Sequence, residues 1–202
     1  MPAWHPTFSL RPVRLLPACL LPLLAAWSML DGARPNAAWE TLKQPGVHAL
    51  MRHATAPGVG DPANFELGRC ETQRNLSTQG RQEARQTGEE IRRNKVTFTA
   101  VYSSQWCRTQ DTAKGLALGP VTELPALNSF FLERDKEAEQ TRGLRQFLQG
   151  LKAEDKVLMV THQVNITALT GISPSSGELV LIRMQPDGSV RVMGRVHGFE
   201  PR

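Results

Sequence analysis

Between residues 46 and 196, short apolar, β-branched runs alternate with stretches whose apolar residues recur at helical spacing. That alternation restricts the chain to strands laid side by side with helices packed over them. Gly46–Met51 reads as a first strand, Thr97–Tyr102 as a second, Val121–Leu124 as a short third, and Lys156–Val160 as a buried fourth. Helices are expected from Ser77 or Thr78 through Ile91, from Trp106 to Leu118, from Glu137 to Leu151 and from Gln163 to Leu169. Glu178–Met184 and Ser189–Val196 flank the turn Gln185-Pro186-Asp187-Gly188, a hairpin signature. The expected fold class is α/β, a mostly parallel sheet covered on both faces with an antiparallel hairpin at one side.

The first 33 residues do not share this pattern. Arg11 and Arg14 precede an apolar run, Leu15–Leu30, interrupted by Pro17 and Pro22 and closed by Asp31-Gly32-Ala33. This is the layout of a secretory address: a basic start, a short apolar stretch and small residues at the end. The expectation is an exported, periplasmic protein in which residues 1–33 are a signal or an uncleaved N-terminal anchor and residues 34–202 are one domain. Any membrane contact would come through that segment alone. Export would leave Cys70 and Cys107 as an even pair in an oxidising compartment, hence a disulfide candidate.

A net charge of +5 without any Lys/Arg run of five, and a single tyrosine, argue against a nucleic-acid partner and for a small anionic ligand. The histidines form neither His-x-His nor His-Glu-x-x-His, and the cysteine spacing matches no zinc site, so no metal or other cofactor is implied. His48 reads as a structural residue of the first strand.

Three of the expected strands stop at groups that handle phosphate. The first ends at Arg52-His53, the second at Ser103-Ser104 with Arg108 in the following helix, and the fourth at His162. In open α/β sheets, ligands gather at the carboxyl ends of the strands. Two guanidiniums, two imidazoles and helix-end amides brought together there would cage a phosphoryl group. A neutral imidazole among arginines could attack phosphorus.

The same residues carry a family likeness. Met51-Arg52-His53-Ala54 resembles the Arg-His-Gly signature of the histidine phosphatase (phosphoglycerate mutase-like) superfamily. Leu76-Ser77 through Gly80 and Ala84 is similar to that family's helix start. Ser103-Ser104 through Arg108, Thr112 and Ala113 looks like its Ser-Ser-x-x-x-Arg block, and Val160-Thr161-His162 resembles its second-histidine strand. The resemblance implies a three-layer α/β/α sandwich and a metal-independent phosphomonoester hydrolase. His53 would become phosphohistidine, and Arg52, Arg108 and His162 would hold the phosphoryl oxygens. It also points toward small exported members such as lipopolysaccharide core heptose phosphatases, and so toward a periplasmic small-molecule or glycan phosphoester.

Two departures from the family pattern concern the site. Ala54 stands where a glycine is usual, and Gln163 follows the second histidine, where it could contact substrate, as could Ser104. Much of the family carries its acid in a Leu-x-Glu, but this chain reads Leu127-Asn128-Ser129, leaving Glu133 as the expected proton donor with Asp135 as the alternative. Arg69 and Arg74 lie in the long loop and could contact a substrate anion, though they read first as ordinary surface arginines. Two alternatives stand beside the phosphomonoesterase: a protein phosphohistidine phosphatase, and a non-catalytic module that binds phosphate or glycan.

Overall fold

The computed structural model describes residues 1–3 and 35–197. The address segment, including Cys19, lies outside the described residues apart from residues 1–3. Residues 35–197 belong to one compact unit. In chain order it contains α1 (Pro35–Lys43), β1 (His48–Arg52), α2 (Thr78–Arg93), β2 (Ala100–Ser103), α3 (Cys107–Gly115), β3 (Val121–Glu123), α4 (Glu137–Gln149), β4 (Val157–Thr161), α5 (Gln163–Thr170), β5 (Glu178–Met184) and β6 (Val190–His197).

The six strands form one sheet in the order β3-β2-β4-β1-β5-β6. β3, β2, β4 and β1 run parallel, and β5 and β6 complete the sheet antiparallel. Alternation along the strands divides the core between two faces. Ala49, Met51, Leu158, Val160 and Leu181 meet Trp39, Ile91 and Leu116 from α1, α2 and the end of α3. Leu50, Met159, Val180 and Ile182 meet Leu144, Leu148, Ile166 and Leu169 from α4 and α5. The expected three layers are therefore present, with helices on both sides.

Three elements differ from the sequence reading. α1, for which no element was expected, buries Ala38, Trp39 and Leu42 at helical spacing. Lys156 then donates to the carbonyls of Leu42 (2.6 Å) and Gln44 (2.7 Å) at the end of that helix. β2 begins at Ala100, later than Thr97: Lys95 adopts φ 57°, and the chain enters the sheet only where the Thr99 N–H reaches the Lys156 carbonyl. α3 stops at Gly115, because Ala117 turns the chain at φ 51°.

α2 has a sharper start than its composition suggests. The Ser77 hydroxyl accepts the N–H of Gly80 at 2.9 Å as an N-cap. Gly80 itself has no substitute: a Cβ there would lie 2.1 Å from the Thr55 carbonyl oxygen. This glycine lets the start of α2 press against the chain two residues past His53. Glu83, one turn on, accepts both the N–H and the hydroxyl of Thr55 at 3.0 Å.

Candidate active site

β1 and β4 are parallel neighbours with Arg52 opposite Thr161, so the next residue on each strand is a histidine. The ladder thus sets His53 beside His162, with ring centroids 5.5 Å apart. Backbone bonds extend the register beyond the strands: His53 N–H donates to Thr161 O, and Ser104 N–H to Val160 O, each at 3.0 Å. The ends of β1, β4 and β2 therefore converge. Arg52, His53, Arg108, His162 and Gln163 all line one cleft of about 210 Å³.

His53 is buried, and its Nδ1–H donates to its neighbour's carbonyl, Ala54 O, at 2.8 Å. A carbonyl only accepts, so the proton sits on Nδ1 and the lone pair on Nε2. Burial, reinforced by Arg108, Arg74 and Arg52 and opposed in part by the Ala54 carbonyl, pushes its pKa down to about 3. The ring is neutral and nucleophilic at any ordinary pH. Ala54 has no left-handed φ, which is why the glycine of the family signature can be replaced here.

His162 is also buried and held well below the usual histidine range, first by burial and then by Arg108. Its Nε2 lies 2.9 Å from Ser104 Oγ, and its Nδ1 lies 3.5 Å from Arg108 Nη2. Guanidinium is a donor only, so Nδ1 carries the lone pair and Nε2–H faces Ser104. Ser104 thus does not meet substrate as expected. It sits behind His162, hydrogen-bonded to Thr109 at 2.7 Å, and fixes the ring.

Two residues of the long loop after β1 complete the site. Asp61, which has no signal in the sequence reading, accepts Arg108 Nη1 at 2.7 Å and Nη2 at 3.1 Å; its side chain is 7% exposed and Arg108's 3%. It also accepts Trp106 Nε1–H at 3.0 Å and the Arg74 N–H at 3.1 Å. Burial works to raise the Asp61 pKa, but the Arg108 hydrogen bonds and charge outweigh it and hold the carboxyl below its usual range. Asp61 takes the Nη1–Nη2 edge of the guanidinium. Nε, buried and without a partner among the described residues, is left on the other edge, with Nη2 toward His162. That leaves the Nε–H of Arg108 as the donor not engaged by another side chain, able to meet an oxygen of an anion.

Arg74 is the second, named in the sequence as one of two loop arginines that could meet an anion. Read first as a surface residue, it lines the cleft, and its guanidinium ties the loop together through the carbonyls of Gly60 (2.7 Å) and Ala56 (2.5 Å). Arg69, in contrast, is exposed and paired with Glu66 and Glu71. The loop is fastened to α3 as well: Cys70 and Cys107 form a disulfide, Gln73 Oε1 accepts the Cys107 N–H at 2.9 Å, and Phe65 stacks on Trp106 at 5.1 Å.

Glu133 is not in the cleft. Its side chain is 54% exposed and paired with Lys136 at 2.5 Å, at the start of a 3-10 turn that leads away toward α4. Asp135 is exposed on the same turn. Ser129, in the segment where the resemblance would put an acid, lines the wall instead. Gln163 reaches the cleft, with its amide donating to Ser173 Oγ at 2.6 Å. His48 is structural as expected, its Nδ1 accepting the Val157 N–H at 3.3 Å. Among the described residues, no three His, Cys, Asp or Glu side chains converge as a metal site would need.

Against known families, the histidine phosphatase superfamily (branch 1) matches residues 49–141, the span holding Arg52, His53 and Arg108. Over that span the chain is similar to the histidine phosphatase superfamily. No curated protein matches it in sequence. Solved structures do. The protein histidine phosphatase SixA complexed with tungstate is 16% identical, with TM-score 0.54 over 75% of this chain and 97% of that one. A protein encoded by a Mycobacterium tuberculosis open reading frame is 16% identical, with TM-score 0.57 over 76% and 98%. A phosphoserine phosphatase from Entamoeba histolytica, as a mutant in complex with phosphoserine, is 13% identical, with TM-score 0.52 over 75% and 97%. At such identities the likeness is one of fold, and this chain's chemistry has to be read from its own cleft.

Proposed function

We propose that this protein is a histidine phosphatase that hydrolyses phosphomonoesters through a phosphohistidine at His53, without a metal ion, on an exported phosphoester. The observation that carries the reading is the buried, neutral His53, its Nε2 lone pair free and its ring 5.5 Å from His162, in a cleft lined by the guanidiniums of Arg52, Arg74, Arg108 and Arg134. The Nε2 lone pair attacks phosphorus while the ester P–O bond breaks and its electron pair leaves with the oxygen, which takes a proton from water. Arg52 and the Nε–H of Arg108 face the charge on the phosphoryl oxygens. Water then attacks phosphorus, the P–N bond breaks, its pair returns to Nε2, and the water proton passes to solvent.

The cleft contains no carboxyl other than Asp61, which Arg108 keeps ionised. Aryl phosphates, whose leaving oxygen needs little protonation, should therefore turn over far faster than alkyl phosphates. The same feature favours a second reading, removal of phosphate from phosphohistidine, whose leaving imidazole makes a similarly small demand. The N-terminal address supports placing the reaction in the periplasm.

The test is turnover of para-nitrophenyl phosphate in the presence of chelator, with acid-quenched and alkali-quenched samples compared for bound phosphate. An alkali-stable, acid-labile phosphoryl group on the wild type is expected. His53→Ala should lose it together with ~10⁴-fold or more of the rate. Undiminished turnover by His53→Ala would remove His53 as nucleophile, and binding of phosphate without turnover would make the chain a binding module.

A further inference from the structure

The cleft mouth differs chemically from its floor. Among the described residues, the exposed large apolar side chains are Met1, Val59, Leu67, Phe131 and Leu132. Two of these, Val59 and Phe131, line the mouth, and Leu132 follows directly. Val59 is 86% exposed and Leu132 67%, degrees of exposure that apolar side chains gathered in one place show mainly where something binds. The backbone holds Val59 outward: Gly58 and Gly60 on either side both adopt left-handed φ, +88° and +71°. The two rims lie close together: a Cβ placed on Gly60 would come within 3.8 Å of Phe131 Cε1. Arg134 sits over the Phe131 ring, its guanidinium carbon 5.0 Å from the centroid.

Polar partners for a hydroxyl-rich group are few. Both oxygens of Asp61, the lining's one carboxylate, already accept hydrogen bonds, and Gln163 donates to Ser173. Ser129 Oγ accepts the Phe131 N–H at 3.3 Å. Cations on the floor and apolar side chains at the mouth fit a substrate of matching polarity. We infer that the site takes phosphomonoesters of apolar alcohols, with the phosphoryl group at His53 and the aryl or alkyl part laid over Val59, Phe131 and Leu132. Sugar phosphates would place their hydroxyls against the apolar side chains of Val59, Phe131 and Leu132, which cannot pair with them.

This rests on the phosphomonoesterase reading above, and the experiment separates the two. A series of phenyl, 4-propylphenyl and 4-hexylphenyl phosphates keeps the leaving oxygen nearly constant while lengthening the apolar part. kcat/KM should rise about tenfold for three added methylenes half covered by the rim. In the double variant Val59→Ser, Leu132→Ser the propylphenyl-to-phenyl ratio should fall toward one. A flat series, or glucose 6-phosphate preferred over phenyl phosphate, would overturn the inference while leaving phosphatase activity standing.

Failure to turn over any of these esters would instead sink the phosphomonoesterase reading. Calorimetry would then still decide the subsite: hexylphosphonate should bind more tightly than methylphosphonate, less so in the double variant, and equal affinities would refute it. Inhibition by phosphatidate in phosphatidylcholine vesicles would mark a membrane-borne substrate. Inhibition by hexylphosphonate alone would mark a soluble one.

Discussion

The cleft has two halves held by different forces. His53 and His162 are set by the β1–β4 ladder, at the edge of a core where Met51, Val160 and Thr161 are fully buried. The edge that Arg108 presents is set by a long loop with little regular structure, through Asp61, Trp106, Gln73 and a disulfide. A ladder positions a side chain to within the spacing of neighbouring strands at no extra ordering cost. A loop must be fastened at several points to achieve the same, because its closure entropy works against it. The nucleophile's position should therefore survive perturbations that displace Arg108.

The largest expected break in that contrast comes from Asp61→Asn. An amide offers one acceptor oxygen in place of two and leaves the buried guanidinium free to turn. Turnover should fall about 100-fold and phosphate should inhibit more weakly, while Asp61→Glu recovers part of the loss. Tighter inhibition by phosphate in Asp61→Asn would show instead that the carboxylate competes with substrate for Arg108. Folding stability should drop by about 3 kcal/mol, the scale for an uncompensated buried charge, and chemical denaturation would measure it.

Removing the disulfide acts on the loop half alone. Cys70→Ser, Cys107→Ser should cost about 3–4 kcal/mol in the chain-entropy picture for a loop of this length. Hydrogen exchange should rise through residues 54–76 and stay slow in β1 and β4. Uniform loss of protection would mean that the two halves do not separate.

A third effect belongs to the ladder half and follows from the buried histidines. His53 is held down to about 3, so between about pH 6.5 and 3 the unfolded chain binds a proton that the folded one refuses; His162 and His48 are shifted in the same direction. Their contribution to stability is complete above pH 6.5 and lost as pH falls toward the folded values. Each can contribute a slope of up to ~1.4 kcal/mol per pH unit. His53→Asn should flatten the stability profile across that window, and an unchanged slope would contradict a neutral buried ring. The smallest effect is expected from Glu133→Gln, within about twofold on aryl and alkyl phosphates alike, as for an exposed charge paired with Lys136. A selective loss on alkyl phosphates would return Glu133 to the cleft.

How legible the site was in the sequence follows the same division. Arg52, His53, Arg108 and His162 could be found because each terminates or follows an apolar run whose period identifies the element, and strand ends are where α/β folds gather ligands. Asp61 could not, and Arg74 only as one of two loop arginines with nothing to say which reaches the cleft. They sit in a stretch rich in Gly, Pro and Asn with no periodicity, and what they touch is decided by how the loop folds back over α3. Glu133 was misplaced for a related reason: nearness in sequence to Ser129 says nothing about which way a chain turns after Phe130. Ser104 was placed at the right strand end but with the wrong neighbour, since only the β2–β4 register turns it behind His162.

By itself, the sequence determined which residues stand at strand ends and which faces of the helices are apolar, because burial imprints its period on neighbouring residues. Only the tertiary structure decided that β4 lies between β1 and β2, which makes two histidines far apart in the chain into neighbours. It alone decided, too, that Asp61 holds one edge of Arg108. Strand order and loop docking are settled by contacts between distant segments, and such contacts leave no periodic trace in either segment alone.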